Sequence, residues 1–119
     1  MNKQEMFNKA YLGILKQGKR STDDNWDNVY RGADGSKCSI GFLIPDELYN
    51  KNIEYADVGY PMVLELIPHG EDISLDFLYA LQEAHDSHHG TNETFIDQFK
   101  TAMSHVANEF GLEVPSDIS

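Results

Sequence analysis

The chain lacks the cysteines and the long apolar runs that would indicate an oxidising compartment or a membrane. Its 119 residues include one cysteine, Cys38, so no disulfide can form within the chain. No apolar run approaches the roughly 18 residues that a membrane-spanning helix needs. Lysines interrupt the first apolar cluster, which is not typical of a signal peptide. We therefore expect a cytoplasmic protein that makes no contact with a membrane.

Basic residues are scarce in the second half of the chain. Nine lysines and arginines stand against 20 aspartates and glutamates, and the formal net charge is −11. Beyond Lys51 the one basic residue is Lys100, so the C-terminal half carries the net negative charge. Direct binding to nucleic acid requires cations that displace phosphate counterions, and this composition argues against it. Such a surface either keeps a protein in solution or docks on a basic partner protein.

The motifs of several familiar enzyme classes are also missing. The sequence contains no Walker phosphate loop, no dinucleotide-binding fingerprint and no G-x-S-x-G nucleophile elbow. The sequence therefore indicates no catalytic residue, and it favours a binding protein over an enzyme.

Helical periodicity dominates what is present. A chain of this length suits a single domain, residues 1–119, with a hydrophobic core of its own. Apolar residues recur at spacings of three and four, and Asn92 is placed to cap the last helix. The predicted segments are helices over residues 3–17, 75–88 and 93–110, short helices over residues 39–49 and 61–67, and a polar tail over residues 112–119.

A turn signal follows the first predicted helix. Asp34-Gly35 tolerates the positive φ angles of a tight turn, which predicts a β-hairpin over residues 28–38. The predicted fold class is therefore α+β and mainly α. It is a small helical domain of four to five helices with one short β-hairpin after the first helix.

A nearly continuous apolar run over residues 38–44 comes next. Its spacing favours a short buried helix, which Pro45 ends because the residue before a proline leaves helical geometry. Gly41 would let a neighbouring element approach closely. Cys38 is interpreted as a small buried hydrophobe, since apolar surroundings raise the pKa of a thiol and make it inert.

These two features together carry a resemblance. Residues 30–49 read Y-R-G-x-x-G-x-K-C-x-I-G-x-L-I-P-D-E-x-Y, which resembles a group of small, uncharacterised proteins of tailed bacteriophages and prophages. Residues 1–5, 17–20, 81–82 and 85–86 are similar as well. The resemblance implies an origin in a phage or mobile element, and hence action in the cytoplasm of a host cell. It implies no particular chemistry.

A histidine cluster is the first candidate site. His85 and His89 are four residues apart and face the same way on a helix, as paired zinc ligands do. Together with Asp86 they would form the zinc site of a hydrolase, and apart from this alternative the sequence indicates no cofactor. The alternative is structural, because histidines at a helix C-terminus interact favourably with the helix dipole.

A second candidate site lies in the predicted hairpin. Arg31 and Lys37, together with the backbone amides of two nearby glycines, could bind a small anion such as a nucleotide phosphate. The alternative is that Arg31 pairs with a nearby carboxylate, namely Asp34, Asp46 or Glu47.

A partner-binding surface is the third candidate. Trp26 is the one large apolar residue in the polar connection over residues 21–28. It either folds back on the core or contacts a partner, because tryptophan is enriched in binding hot spots. The acidic residues predicted to join it are Glu65, Glu71, Asp72, Asp76 and Glu83.

The function that the sequence favours is that of a small acidic accessory protein of a phage. It would bind a host protein with a basic surface, such as a defence or nucleic-acid-processing factor, and modulate it by inhibition. It would act as a monomer or a homodimer. The alternatives are a small-anion or nucleotide-binding protein that uses the hairpin, and a metal-dependent hydrolase at the histidine cluster.

Overall fold

The computed structural model describes residues 1–69, 74–87 and 91–116. Within those ranges the regular structure is helical and contains no β-strand, which confirms a mainly α fold. Three 3₁₀ turns accompany the α-helices and span Gly41–Leu43, Asp46–Leu48 and Lys51–Ile53. The α-helices are α1 (Lys3–Gln17), α2 (Pro61–Leu64), α3 (Leu75–Asp86) and α4 (Asn92–Phe110).

Helix α1 has the bounds that the sequence predicts. Asn2 accepts the N–H of Glu5 at 2.8 Å and Glu5 accepts the N–H of Asn2 at 3.1 Å, which together form a capping box. Gly18 ends the helix at φ 75°, a left-handed conformation that glycine adopts without a Cβ clash. One face of α1, including Phe7 and Ile14, is buried in the core.

Helices α1, α3 and α4 enclose the core. Helix α3 packs on α4, and α1 packs on both and on the first 3₁₀ turn. Aromatic rings fill the centre, where the ring centroid of Phe99 lies 6.2 Å from that of Tyr11 and 5.7 Å from that of Phe95. Burying one phenylalanine side chain contributes about 1.5–3 kcal/mol. On α3 the ring centroid of Phe77 lies 5.1 Å from that of Phe110 on α4, so the inner face of α3 is held against the core and its opposite face is not buried there.

The predicted β-hairpin over residues 28–38 does not form as a pair of strands. A single antiparallel bridge joins Arg31 to Lys37, and the N–H of Gly32 donates to the carbonyl of Ser36 at 2.9 Å. Gly35 adopts φ 88°, as the Asp-Gly turn signal requires. The chain therefore reverses where the sequence indicates, without extending into a ladder.

Side chains from distant segments accept the N–H of Tyr30, which a longer ladder would pair, and the N–H groups of Arg31 and Lys37, which face away from the bridge. The carboxylate of Glu54 accepts the N–H groups of Tyr30 at 2.8 Å and Arg31 at 3.1 Å. The amide oxygen of Gln17 accepts the N–H of Lys37 at 2.8 Å. Because these donors are satisfied by side chains from distant segments, no strand pairing is needed to bury them.

The short helical region predicted over residues 39–49 forms two 3₁₀ turns, and Pro45 interrupts it as the sequence predicts. The close approach expected at Gly41 is present, because a Cβ atom there would lie 2.1 Å from the carbonyl oxygen of Tyr30. Any side chain at this position would force the backbone apart.

The other helices differ from the prediction at their ends. Helix α2 stops at Leu64, short of residue 67, and α3 stops at Asp86, while residue 88 lies outside the described ranges. Helix α4 is capped by Thr91 and not by Asn92, since the Thr91 hydroxyl accepts the N–H of Thr94 at 3.3 Å. Among the described residues, no helix combines the length and the apolar composition that crossing a membrane requires.

Candidate functional site

An open cleft of about 420 Å³ lies beside the outer face of α3. Its walls are residues 28–30, residues 55–57 and four side chains of α3, and Cys38 also contributes to the lining. The four α3 residues are Tyr79, Gln82, Glu83 and Asp86. Their spacing of three and four places them on one helical face, opposite the buried face that packs on α4.

Three tyrosines supply the aromatic surface of the cleft, and each hydroxyl already donates a hydrogen bond. Tyr30 donates to the carbonyl of Ala56 at 2.5 Å, and Tyr79 donates to Asp57 at 2.9 Å. Tyr55 donates to Asp23 at 2.5 Å, and this bond raises the pKa of Tyr55 to about 12. The three rings are therefore neutral and anchored at neutral pH.

Three carboxylates also line the cleft, and no lining residue within the described ranges is basic. Asp57 accepts hydrogen bonds from Tyr79 and from the N–H of Gly59, and Asp86 contacts His85. Within the described part of the chain, the Glu83 carboxylate makes no hydrogen bond or ion pair, and the residue is exposed. The cleft therefore carries a negative charge that the surrounding side chains do not neutralise.

Cys38 lies at the floor of this cleft. It is buried, and burial raises the pKa of its thiol to about 12, with the negative charge of Asp86 adding to the effect. Its Sγ accepts the N–H of Gly41 at 3.3 Å. The thiol is thus protonated and packed at neutral pH, in keeping with the interpretation of Cys38 as a small hydrophobe.

The loop over residues 22–28 forms a rim beside the cleft. A bridge between Thr22 and Asn28 closes it, and Asn28 is itself part of the cleft lining. Asp23 links the loop to the cleft, since its backbone carbonyl accepts the N–H of Trp26 at 3.0 Å and its carboxylate accepts the Tyr55 hydroxyl. The alternative in which Trp26 folds back on the core is wrong, because the residue is 79% exposed.

Trp26 and Tyr55 share an unusual backbone conformation. Their φ angles are 66° and 68°, and they are the non-glycine residues with positive φ among the described residues. Tyr55 is 72% exposed. A bulky residue in the left-handed region costs about 1–3 kcal/mol, and such residues cluster at functional sites.

The histidine cluster is only partly described, since His89 lies outside the described ranges. His85 is fully buried and both of its ring nitrogens are in use. Nε2 accepts the backbone N–H of Ser21 at 2.9 Å, and Nδ1 lies 2.6 Å from Asp86 Oδ1. His85 would have to leave one of these contacts to bind a metal. Across the described residues, no group of three or more His, Cys, Asp or Glu side chains is arranged to hold one.

The two cations of the predicted anion site have internal partners. Arg31 Nη1 lies 2.8 Å from Asp46 Oδ1, and Lys37 Nζ lies 3.2 Å from the same atom. Arg31 Nη2 also donates to the carbonyl of Ile44 at 2.6 Å, and the guanidinium lies 4.8 Å from the ring centroid of Tyr49. The pKa of Asp46 is held below its ordinary value mainly by Lys37 and to a smaller extent by Arg31. An anion at Arg31 and Lys37 would therefore have to displace the Asp46 carboxylate.

The described acidic residues of the predicted partner surface do not lie together. Glu83 lines the cleft, whereas Glu65 follows α2 and Asp76 lies in the first turn of α3, both exposed and both away from the cleft lining. Glu71 and Asp72 lie outside the described ranges.

Sequence reasoning missed most of the cleft. Tyr55 and Asp57 come from a segment with weak local signals, and no pattern in the sequence pairs them with α3. One usable signal was present, because Tyr79, Glu83 and Asp86 recur at helical spacing on the side of α3 opposite its apolar face.

Comparison with known proteins gives no further guide: no protein-family model matches the chain, and no curated protein or solved structure is significantly similar to it. The resemblance of residues 30–49 to phage proteins stays a prediction.

Proposed function

We propose that the protein is a binding protein that docks a basic segment of another protein at its tyrosine-lined, acidic cleft. The observation that carries this proposal is the composition of the cleft wall, where three tyrosines and three carboxylates meet with no basic side chain among the described lining residues. Aromatic rings and carboxylates both attract cations, the rings through their negative faces. A basic segment would supply the missing positive charge.

The rim beside the cleft fits the same role. Trp26 and Tyr55 are large, exposed and held in a costly backbone conformation, while the core gains nothing from their rings. Tryptophan, tyrosine and arginine dominate the energetics of protein interfaces. A partner seated in the cleft would cover both rings and would remove their apolar surface from water.

The overall charge of the chain would act at longer range. A net charge of −11 steers basic partners towards the protein and raises the rate of encounter. The resemblance to phage proteins supports the proposal that the partner is a host protein. The docked chain would inhibit that protein by covering its basic surface. The same screening that weakens surface charges makes such a complex sensitive to salt.

The experiment is an affinity capture from a bacterial lysate, with two variants of α3 that are matched in exposure. Tyr79 is 41% exposed and lines the cleft, whereas Leu75 is 40% exposed and does not. Alanine is a good helix former, so both substitutions leave α3 intact. We expect Tyr79→Ala to lose a partner that wild type and Leu75→Ala retain at low salt, with all three losing it at high salt.

Equal capture by the three proteins, or capture that is indifferent to salt, would contradict the proposal. Circular dichroism of each variant checks that the fold is unchanged. A partner identified in this way is then tested for a basic segment by binding to a synthetic copy of that segment.

A further inference from the structure

We infer that the cleft is an arginine pocket, which takes the guanidinium group of one arginine of the docked segment between the Tyr55 and Tyr79 rings and the Glu83 carboxylate. This inference rests on the proposed function and adds to it the chemical identity of the group that enters the cleft.

The molecule already contains one arginine site of its own. Arg31 is held by three kinds of group: the ring of Tyr49, the carboxylate of Asp46 and the backbone carbonyl of Ile44. Their distances to the guanidinium are 4.8, 2.8 and 2.6 Å. This set contacts the flat face and both terminal nitrogens of the guanidinium, which is the usual way that proteins bind arginine.

The cleft offers the same kinds of group without a cation. Tyr55 and Tyr79 supply rings, and Glu83 supplies a carboxylate that has no partner within the described ranges. The side-chain amide nitrogen of Gln82 donates to the Tyr30 hydroxyl oxygen at 3.3 Å. No described residue donates to the side-chain amide oxygen of Gln82. The cleft therefore has a ring surface, a carboxylate and a carbonyl oxygen, as the Arg31 site has.

Guanidinium fits this lining better than ammonium or a metal ion. It is planar, weakly hydrated and able to stack on an aromatic ring while its edge donates to oxygen atoms. Lysine carries a compact and strongly hydrated charge, which gains less from a ring. A metal ion would need several oxygen or nitrogen ligands at short distance, and two of the three carboxylates here already accept hydrogen bonds from Tyr79 and His85.

The test uses three capped tripeptides, with a central arginine, lysine or citrulline flanked by glycines, titrated into the labelled protein and followed by NMR. Citrulline has the shape of arginine without its charge, so it isolates the ionic contribution. We expect the arginine peptide to shift the resonances of Tyr55, Tyr79 and Glu83. We expect the lysine peptide to bind at least about threefold more weakly and the citrulline peptide to cause no saturable shift.

The matched variants are Glu83→Gln and Glu65→Gln, both at exposed positions and only the first in the cleft. Loss of one exposed ion pair should weaken binding of the arginine peptide about threefold to fivefold in Glu83→Gln and leave it unchanged in Glu65→Gln. Equal binding of arginine and citrulline peptides, equal binding by both variants, or no binding of any peptide would each overturn the arginine pocket. Those outcomes leave the proposed function to be judged separately by the Tyr79→Ala capture, which requires no particular basic residue.

Discussion

His85 joins two parts of the fold through its two ring nitrogens. It accepts the backbone N–H of Ser21 on Nε2, contacts the Asp86 carboxylate through Nδ1 and packs edge-on against Phe95, with 5.6 Å between ring centroids. A neutral imidazole with its proton on Nδ1 satisfies both hydrogen bonds at once. The side chain therefore fastens the start of the rim loop to the end of α3, where the cleft residue Asp86 lies.

Replacing His85 by alanine should lower the free energy of unfolding by about 2–4 kcal/mol, because it leaves a cavity and an unpaired buried N–H at Ser21. The exposed His105 on α4 is the control, and His105→Ala should change stability by less than about 0.5 kcal/mol. Urea denaturation followed by circular dichroism measures both. If His85→Ala were as mild as its control, the observed contacts of His85 would not stabilise the fold.

Cys38 should make the protein sensitive to alkali. The ordinary thiol pKa is 9.0 and burial raises that of Cys38 to about 12, so above pH 9.0 the unfolded chain releases this proton more readily than the folded one. Its contribution is therefore complete below pH 9.0 and is lost as the pH rises towards 12. By about pH 10, wild type should lose about 1 kcal/mol more than Cys38→Ala, both relative to neutral pH. Urea denaturation across this range measures the difference, and parallel losses would contradict the assignment.

Helix α3 connects the core to the cleft. Its inner face buries Phe77, Leu78 and Leu81 in the core, and its outer face carries Tyr79 and Glu83. The helix begins cleanly because the Ser74 side chain accepts the N–H of Phe77 at 3.2 Å. The position of the cleft residues is thus set by packing on the opposite side of the same helix.

The start of α4 offers a direct test of its cap. The Thr91 hydroxyl accepts the N–H of Thr94, whereas Asn92 is the first residue of the helix itself. Thr91→Ala should therefore cost about 1 kcal/mol of stability, the usual effect of removing an N-cap. Asn92→Ala should cost less or nothing, because alanine is the better helix former inside the first turn. Thermal unfolding of the two variants measures both losses of stability. A larger loss for Asn92→Ala than for Thr91→Ala would mean that Asn92 is the N-cap.

Across the whole molecule, negative charge dominates. The chain carries 20 acidic residues against nine basic ones, and several of the basic residues are already paired, as Lys19 is with Asp34 at 2.7 Å. The remaining like charges repel one another in the folded state more than in the expanded one. The same excess that would attract a basic partner therefore weakens the fold.

Moderate NaCl should raise the melting temperature by roughly 2–5 °C, because screening relieves this repulsion. The same salt should weaken the complex with a basic partner, so the two effects have opposite signs. Differential scanning calorimetry of the free protein measures the first. A melting temperature that falls with added NaCl would mean that attractive pairs outweigh repulsion in this fold.

The sequence by itself determined the helices and one turn. Apolar periodicity and capping residues predict both ends of α1 and most of the length of α3 and α4. They can do so because these signals act over a few neighbouring residues. The Asp34-Gly35 turn and the close approach at Gly41 are local in the same sense.

Tertiary structure alone decided the strand content and the cleft. The Glu54 carboxylate, more than 20 residues away, accepts the Tyr30 N–H that a further strand pair would need, and the expected hairpin is a single bridge. The cleft forms only where α3 meets residues 28–30 and 55–57, and the chain path also decides which of the three carboxylates expected near Arg31, namely Asp46, pairs with it. Contacts between distant segments leave no local pattern in the sequence, so they could not be predicted from one chain.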